Sequence, residues 1–104
     1  MKILNAKIDE ELMALPEDMR ARFSRIAFLI EEMSLERIRE PHVKHLYGSL
    51  WEIRMTSRTG IGRALYVVTA EKNVVVVRAF VKKTRKTPRH EIGLALERAK
   101  EVLR

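Results

Sequence analysis

Five cations fall within eight residues at Lys82, Lys83, Arg85, Lys86 and Arg89, in the stretch AFVKKTRKTPRHE (Ala79–Glu91). Like charge at that density is unfavourable unless an anion sits among it, and clustered cations gain by displacing counterions from phosphates. Further cations stand upstream at Lys44, Arg54, Arg58 and Arg63, with Glu52 as the only carboxylate among them. The chemistry open to such a set is recognition of phosphates, and beyond that phosphoryl transfer on RNA. RNA carries its own nucleophile, the 2′-hydroxyl. A protein can cleave it without a metal or cofactor by aligning that hydroxyl and stabilising the negative charge that develops on the phosphoryl group. Arginine suits charge stabilisation because it is permanently protonated and forked. A lysine flanked by cations has its pKa pushed down, which lets Lys82 or Lys83 take part in proton transfer. Glu52 can act as a base or, as the simpler role, hold Arg54 through a salt bridge.

Other chemistries find no support. The only aspartates are Asp9 and Asp18, both in the acidic first part of the chain, so no carboxylate cluster is set up for Mg²⁺. His42 and His45 have a spacing that suits a metal on a helix, but with no cysteine or aspartate nearby they read as solvated turn histidines. Gly60-Ile61-Gly62 lacks the strand-before, helix-after setting of a nucleotide loop and reads as hairpin geometry. No serine has a plausible histidine base beside it.

The cations are useful together only if secondary structure converges them. Apolar spacing predicts a short edge strand at Ile3 and Leu4, then a helix over Ile8–Leu15 with Ile8, Leu12 and Leu15 on one side. Pro16 breaks that pattern and opens a second helix over Glu17–Met33, whose stripe is Met19, Phe23, Ile26, Ala27, Ile30 and Met33. Its charged face (Asp18, Arg22, Arg25, Glu32) reads as solvated. Glu36 to His45 reads as a polar connector with a turn at Pro41.

Period-two alternation follows. SLWEIRMTS (Ser49–Ser57) puts Trp51, Ile53 and Met55 on one face and Glu52 and Arg54 on the other. Ser57–Gly60 is a hairpin, Gly62–Thr69 a second strand, and Glu71–Asn73 a turn. Val74–Val81 is apolar on both faces and is predicted to be the central strand. Thr87 as N-cap and Pro88 at the first helical position begin a last helix to about Leu103, with Ile92, Leu96, Ala99 and Leu103 inward. The expected order is α-α-β-β-β-α with an extra N-terminal strand, helices on one face of the sheet and the other face open. Arg54, Arg63 and Lys82 then lie on neighbouring strands about 4.8 Å apart, with Arg58 in the hairpin between and Lys83 at the strand end.

With 104 residues the chain is long enough for one compact α+β domain over 1–104. The net charge of +7 is unevenly placed: residues 1–40 carry seven Lys/Arg against nine Asp/Glu, and residues 41–104 carry fourteen against five. That asymmetry points to a polyanionic partner for the second part. There is no apolar run of membrane-spanning length, no signal-peptide pattern and no cysteine, so a reducing cytoplasm is the expected location.

EPHVKHLYGSLWEIRMTSRTGIGRALYVV, followed by VVVVRAFVKKTRKTPRHEIGLALERAKEV, resembles the phage-derived, HigB-like branch of the RelE/ParE toxin superfamily, and ALPEDMRARFSRIAFLIEEM fits that family's helical hairpin. The resemblance implies a RelE-like domain: two N-terminal helices on an antiparallel sheet of three to four strands, plus a C-terminal helix. It further implies a toxin of a type II toxin–antitoxin module that cuts mRNA on the ribosome without a metal or cofactor. Its partners would be ribosome, mRNA and an antitoxin of helix-turn-helix, HigA-like type. By this resemblance Arg54, Arg63, Lys82 and Lys83 fall where the family places its RNA-cleaving cations. Arg58, Arg85, Lys86, Arg89 and Lys44 are then RNA contacts, and Glu52 supports them. Two alternatives remain: a ParE-like gyrase inhibitor, against which FVKKTxKTP argues, and a nucleic-acid-binding module without turnover. Trp51 and Tyr66 read as core rather than as base-stacking platforms, which weakens the second.

Overall fold

The computed structural model describes residues 1–33 and 42–103. Asn5 starts the first helix by accepting the backbone N–H groups of Lys7 and Ile8 at 3.0 and 3.2 Å, so α1 runs Ala6–Met13, two residues earlier than its apolar spacing predicts. Ile8 and Leu12, with Leu15 just beyond, are buried as expected. Pro16 takes the N-cap position of α2 (Glu17–Glu32), whose stripe buries Met19, Ile26 and Ile30. Asp18 is not simply solvated: it accepts the Thr59 hydroxyl at 2.8 Å and ties α2 to a hairpin.

Five strands form one mixed sheet among the described residues: β1 (Lys2–Ile3), β2 (Val43–Tyr47), β3 (Leu50–Ser57), β4 (Gly60–Val68) and β5 (Val74–Lys82), in the order β1-β5-β4-β3-β2. Pairing is antiparallel except for β1, which lies parallel to β5. The expected all-antiparallel sheet of three to four strands is thus corrected. One reason is β2, which occupies part of the predicted connector. It carries the exposed Lys44 and His45 because it is an edge strand, yet it buries Val43 and pairs with β3 from Val43 to Tyr47. His45 therefore stands on a strand, not in a turn. The rest of that connector, including Pro41, lies outside the described residues.

A second correction concerns the centre. β4, flanked by β3 and β5, is the middle strand. β5 is apolar on both faces because helices cover both: α1 on one side and α3 (Arg89–Ala99) on the other. The core is accordingly double. Ile53, Met55, Ala64, Tyr66 and Val76 pack under α1 and α2, while Leu50, Leu65, Val67, Val77 and Phe80 pack against Ala95 and Ala99 of α3. The second face is open only beyond α3. The inward side of α3 is Glu91, Ala95 and Ala99, with Ile92 and Leu96 partly buried. Leu103 is exposed, since the helix ends before it. Trp51 departs from the core reading too: it is 37% exposed, because it lies at the start of β3 beside the β2–β3 turn, where its ring meets His45 edge-on at 4.9 Å.

Gly62 explains the close fit of α2 on the sheet, since a Cβ there would meet Met19 Sδ at 2.8 Å. Gly60, at φ +144°, makes the β3–β4 hairpin in a conformation that L side chains rarely adopt.

β1 is too short to cover the β5 edge, and side chains continue where it stops. The Val77 carbonyl accepts Arg98 Nη1 at 3.0 Å, and the Ala79 N–H donates to Glu11 Oε1 at 3.1 Å. Arg98 also grips Glu11 through both terminal nitrogens, at 3.0 and 2.9 Å, closing a clamp from α1 to α3 around the edge. Arg78 joins it, reaching Glu11 Oε2 at 3.0 Å and Glu91 Oε1 at 2.6 Å. Burial disfavours the Glu11 charge, but hydrogen bonds from Arg98, Ala79 and Arg78 outweigh it and hold the pKa below the usual carboxylate range. A depressed folded pKa stabilises above the unfolded value and is lost as pH falls through the folded one. Glu11→Gln should therefore lower Tm at neutral pH. The gap from wild type should be widest above pH 4.5, the ordinary glutamate value, and close as acid protonates the wild-type carboxyl. Thermal melts across that range check it, and a gap unchanged in acid would refute the clamp.

Candidate phosphate site on the open part of the sheet

Strand register aligns the functional side chains. Lys44 pairs with Glu52 and Glu52 with Leu65, while Arg54 pairs with Arg63 and Arg63 with Phe80. All project from the face that carries α3, two residues apart along each strand, and Lys82 follows Phe80 on the same side. Where α3 stops, the segment between β5 and α3 rises as a wall. The resulting cleft, about 240 Å³, is lined by Lys44, Leu46, Glu52, Arg54, Lys82, Arg85, Lys86 and Thr87. Among the described residues, five cations thus face one carboxylate, and Arg63 lies buried in the adjoining floor.

Glu52 organises the floor. It is 2% exposed, with Oε1 lying 3.5 Å from Arg54 Nε and 3.6 Å from Arg63 Nε. Oε2 accepts the Thr87 hydroxyl at 2.7 Å. Arg63 is 4% exposed, donates from Nη1 to the Gly62 carbonyl at 2.7 Å, and has no hydrogen bond among the described residues at its buried Nε. Burial lowers the Arg63 pKa, Glu52 opposes that, and Arg54 adds to it; an arginine starting so high stays charged. Lys82 is also buried and donates to the Arg85 carbonyl at 2.5 Å. Its pKa is lowered first by burial and next by Arg63, with Glu52 opposing and Arg54 and Lys44 adding smaller repulsions. Sequence reading expected this direction from neighbouring cations; burial turns out to be the larger cause.

Among the sequence-predicted residues, Lys44, Glu52, Arg54, Arg63 and Lys82 come together on the floor, and Arg85 and Lys86 join them on the wall. Lys83 does not: it follows the end of β5, is exposed, and is absent from the lining. Arg58 at the β3–β4 hairpin and Arg89 at the start of α3 are likewise exposed and outside it.

Thr87 was legible as a cap and is something else. Pro88 holds the N-cap position of α3 with no side-chain cap bond, and the Thr87 hydroxyl turns to Glu52. A threonine cap typically contributes about 1 kcal/mol, so this helix start forgoes that for a contact in the cleft. Leu46 was missed because β2 was not recognised as a strand.

Among the described residues, no group of three or more His, Cys, Asp or Glu could hold a metal ion. No helix among them is long and apolar enough to cross a membrane.

What this arrangement can do is bind a phosphoryl group against fixed, partly desolvated cations, where each charge acts more strongly than in water. No curated protein matches the chain. The sequence model described as "Phage derived protein Gp49-like (DUF891)" matches residues 10–100, which include the second half of α1, every later element and every residue of the cleft. The chain therefore belongs to the Gp49-like family of phage-derived proteins, a family of the RelE/HigB-like toxin type.

Proposed function

We propose that this protein is the toxin of a type II toxin–antitoxin module of the HigB-like branch, a ribosome-dependent mRNA endonuclease that arrests translation. The observation that carries this reading is the cluster of Arg63 and Lys82, both buried, with the half-buried Arg54, around Glu52, open to a cleft walled by Arg85 and Lys86. On this reading the message supplies the nucleophile through its 2′-hydroxyl. Arg54 and Arg63 stabilise the charge that builds on the phosphoryl oxygens. Lys82, with its lowered pKa, is placed to pass a proton to or from the reacting oxygens. The products are a 2′,3′-cyclic phosphate, or the 3′-phosphate it opens to, and a 5′-hydroxyl end. A toxin so armed acts in the cytoplasm and needs a partner that covers or blocks the cleft, for which a helix-turn-helix antitoxin is proposed.

Induced alone, the protein should stop protein synthesis before DNA synthesis, and ribosome-associated mRNA should gain new 5′ ends. Co-expression of the adjacent reading frame should yield a stable complex and restore growth. Replication arrest first, with gyrase-dependent DNA breaks, would assign the chain to ParE-like inhibition instead. Ribosome binding without any cut would leave a binding module.

A further inference from the structure

We infer that Thr87 is a positioning residue that acts through Glu52, holding this carboxylate at a distance from Arg63 so that the guanidinium stays available to the charge that builds on the reacting phosphoryl group. The inference rests on the reading of the cleft as a phosphoryl-transfer site. It starts from a mismatch of distances. Charge-assisted N–H···O contacts between arginine and carboxylate settle at about 2.7–2.9 Å. Glu52 Oε1 instead sits 3.5 Å from Arg54 Nε and 3.6 Å from Arg63 Nε, close enough for attraction and too far for a bond. Meanwhile Arg63 Nε, fully inside the protein, has no hydrogen bond among the described residues. Among the described residues, the one short contact Glu52 makes there is the 2.7 Å bond from Thr87 to its other oxygen.

A carboxylate held by one oxygen cannot swing its partner oxygen onto either guanidinium. Released, it would close on Arg63 in a paired, neutralising geometry and spend the donor that an anion would otherwise receive. The same bond ties wall to floor. Thr87 follows directly on Arg85 and Lys86, and the Arg85 carbonyl accepts Lys82 Nζ, so the wall is held at two points across the cleft. That arrangement also gives a reason for the unusual start of α3, where a threonine placed to cap the helix leaves it without a side-chain cap.

Thr87→Val keeps the shape and removes the hydroxyl, and Thr87→Ser restores the hydroxyl on a smaller side chain. The Nε–H signals of Arg54 and Arg63, followed by ¹⁵N-resolved NMR on the whole chain, read the positioning without any need for activity. In the valine variant the Arg63 Nε–H should move to a hydrogen-bonded shift and exchange more slowly with solvent, while the serine variant should stay near wild type. On programmed ribosomes the valine variant should lose turnover by about tenfold, less than the loss of a group that touches the phosphate, with KM and affinity for a 2′-deoxy-substituted message unchanged. Serine should recover most of it. An Arg63 signal identical in valine and wild type, or equal loss in valine and serine, would overturn the proposal. If valine at this position does not fold, Thr87→Ala gives the same comparison. Should wild-type protein cut nothing on the ribosome, the endonuclease reading falls, and the arginine signals still decide whether Thr87 positions Glu52.

Discussion

Lys82→Met is expected to slow mRNA cleavage by on the order of a hundredfold or more while leaving affinity for the ribosome–message complex nearly unchanged. Methionine keeps the aliphatic length of a side chain that is 5% exposed, so packing is largely retained and the loss falls on the ammonium. That ammonium is surrounded: burial, Arg63, Arg54 and Lys44 all disfavour its charge, which is the environment that fits a lysine for proton transfer. With its pKa below the ordinary lysine value of 10.5, the pH at which wild-type activity changes should also lie below that value, and the methionine variant should lack this limb of the profile. Arg89→Ala is the matched control. Arg89 is exposed and outside the cleft, so its loss should at most weaken binding modestly and reduce the salt dependence by about one phosphate contact. Single-turnover cleavage and salt-dependent binding, measured on both variants, separate the two effects. Undiminished cutting by Lys82→Met would end the assignment of Lys82 to the reaction. Arg63→Ala is a less clean test than its sequence position suggests, because removing a buried guanidinium beside Glu52 costs stability as well as chemistry.

Glu52→Ala should destabilise the fold by about 3–5 kcal/mol, the usual cost of removing one partner of a buried charge group, and lower Tm by more than about 10 °C. Among the described residues the carboxylate is the only negative charge lining the cleft, against Lys44, Arg54, Lys82, Arg85 and Lys86, with Arg63 beside it. Without it the cations repel one another in a partly desolvated space, and the Thr87 hydroxyl loses its acceptor. Glu52→Gln should fall between, since the amide oxygen can still accept from Thr87 while the charge is gone. A multivalent anion such as pyrophosphate should raise Tm more in Glu52→Ala than in wild type, because it takes over the missing charge and binds only the folded state. Thermal unfolding with and without the anion reads both effects. A Glu52→Ala chain as stable as wild type would show that the cation cluster needs no internal counter-charge.

The parts of the fold legible in the chain are those governed by local rules. Apolar residues three and four apart marked α1 and α2, because a helix that buries one face must repeat that way. Alternation marked β3 and β4, and it placed Arg54 and Glu52 opposite Ile53 and Met55 correctly, as their pairing with Arg63 and Leu65 confirms. The charge density of the β5–α3 segment was also plain, and Arg85 and Lys86 do line the cleft.

Other features depend on what sits next to what. A strand's rank in the sheet is not written in its hydropathy: Val74–Lys82 is apolar on both faces because α1 and α3 sandwich it, not because it is central. β2 escaped notice because an edge strand with one solvated side carries Lys44, His45 and Tyr47 without penalty. Local rules also rank Thr87 as a helix cap, since Ser and Thr prefer that place when the hydroxyl has no better partner. A better partner exists only once β3 has brought a buried carboxylate within 2.7 Å. Composition and periodicity thus determined that this chain is an α+β protein with cations gathered at the end of a strand. Which of those cations share a desolvated site, and which stand in water like Lys83, Arg58 and Arg89, was decided by strand register and the placement of α3, because burial and charge coupling arise between residues far apart in sequence.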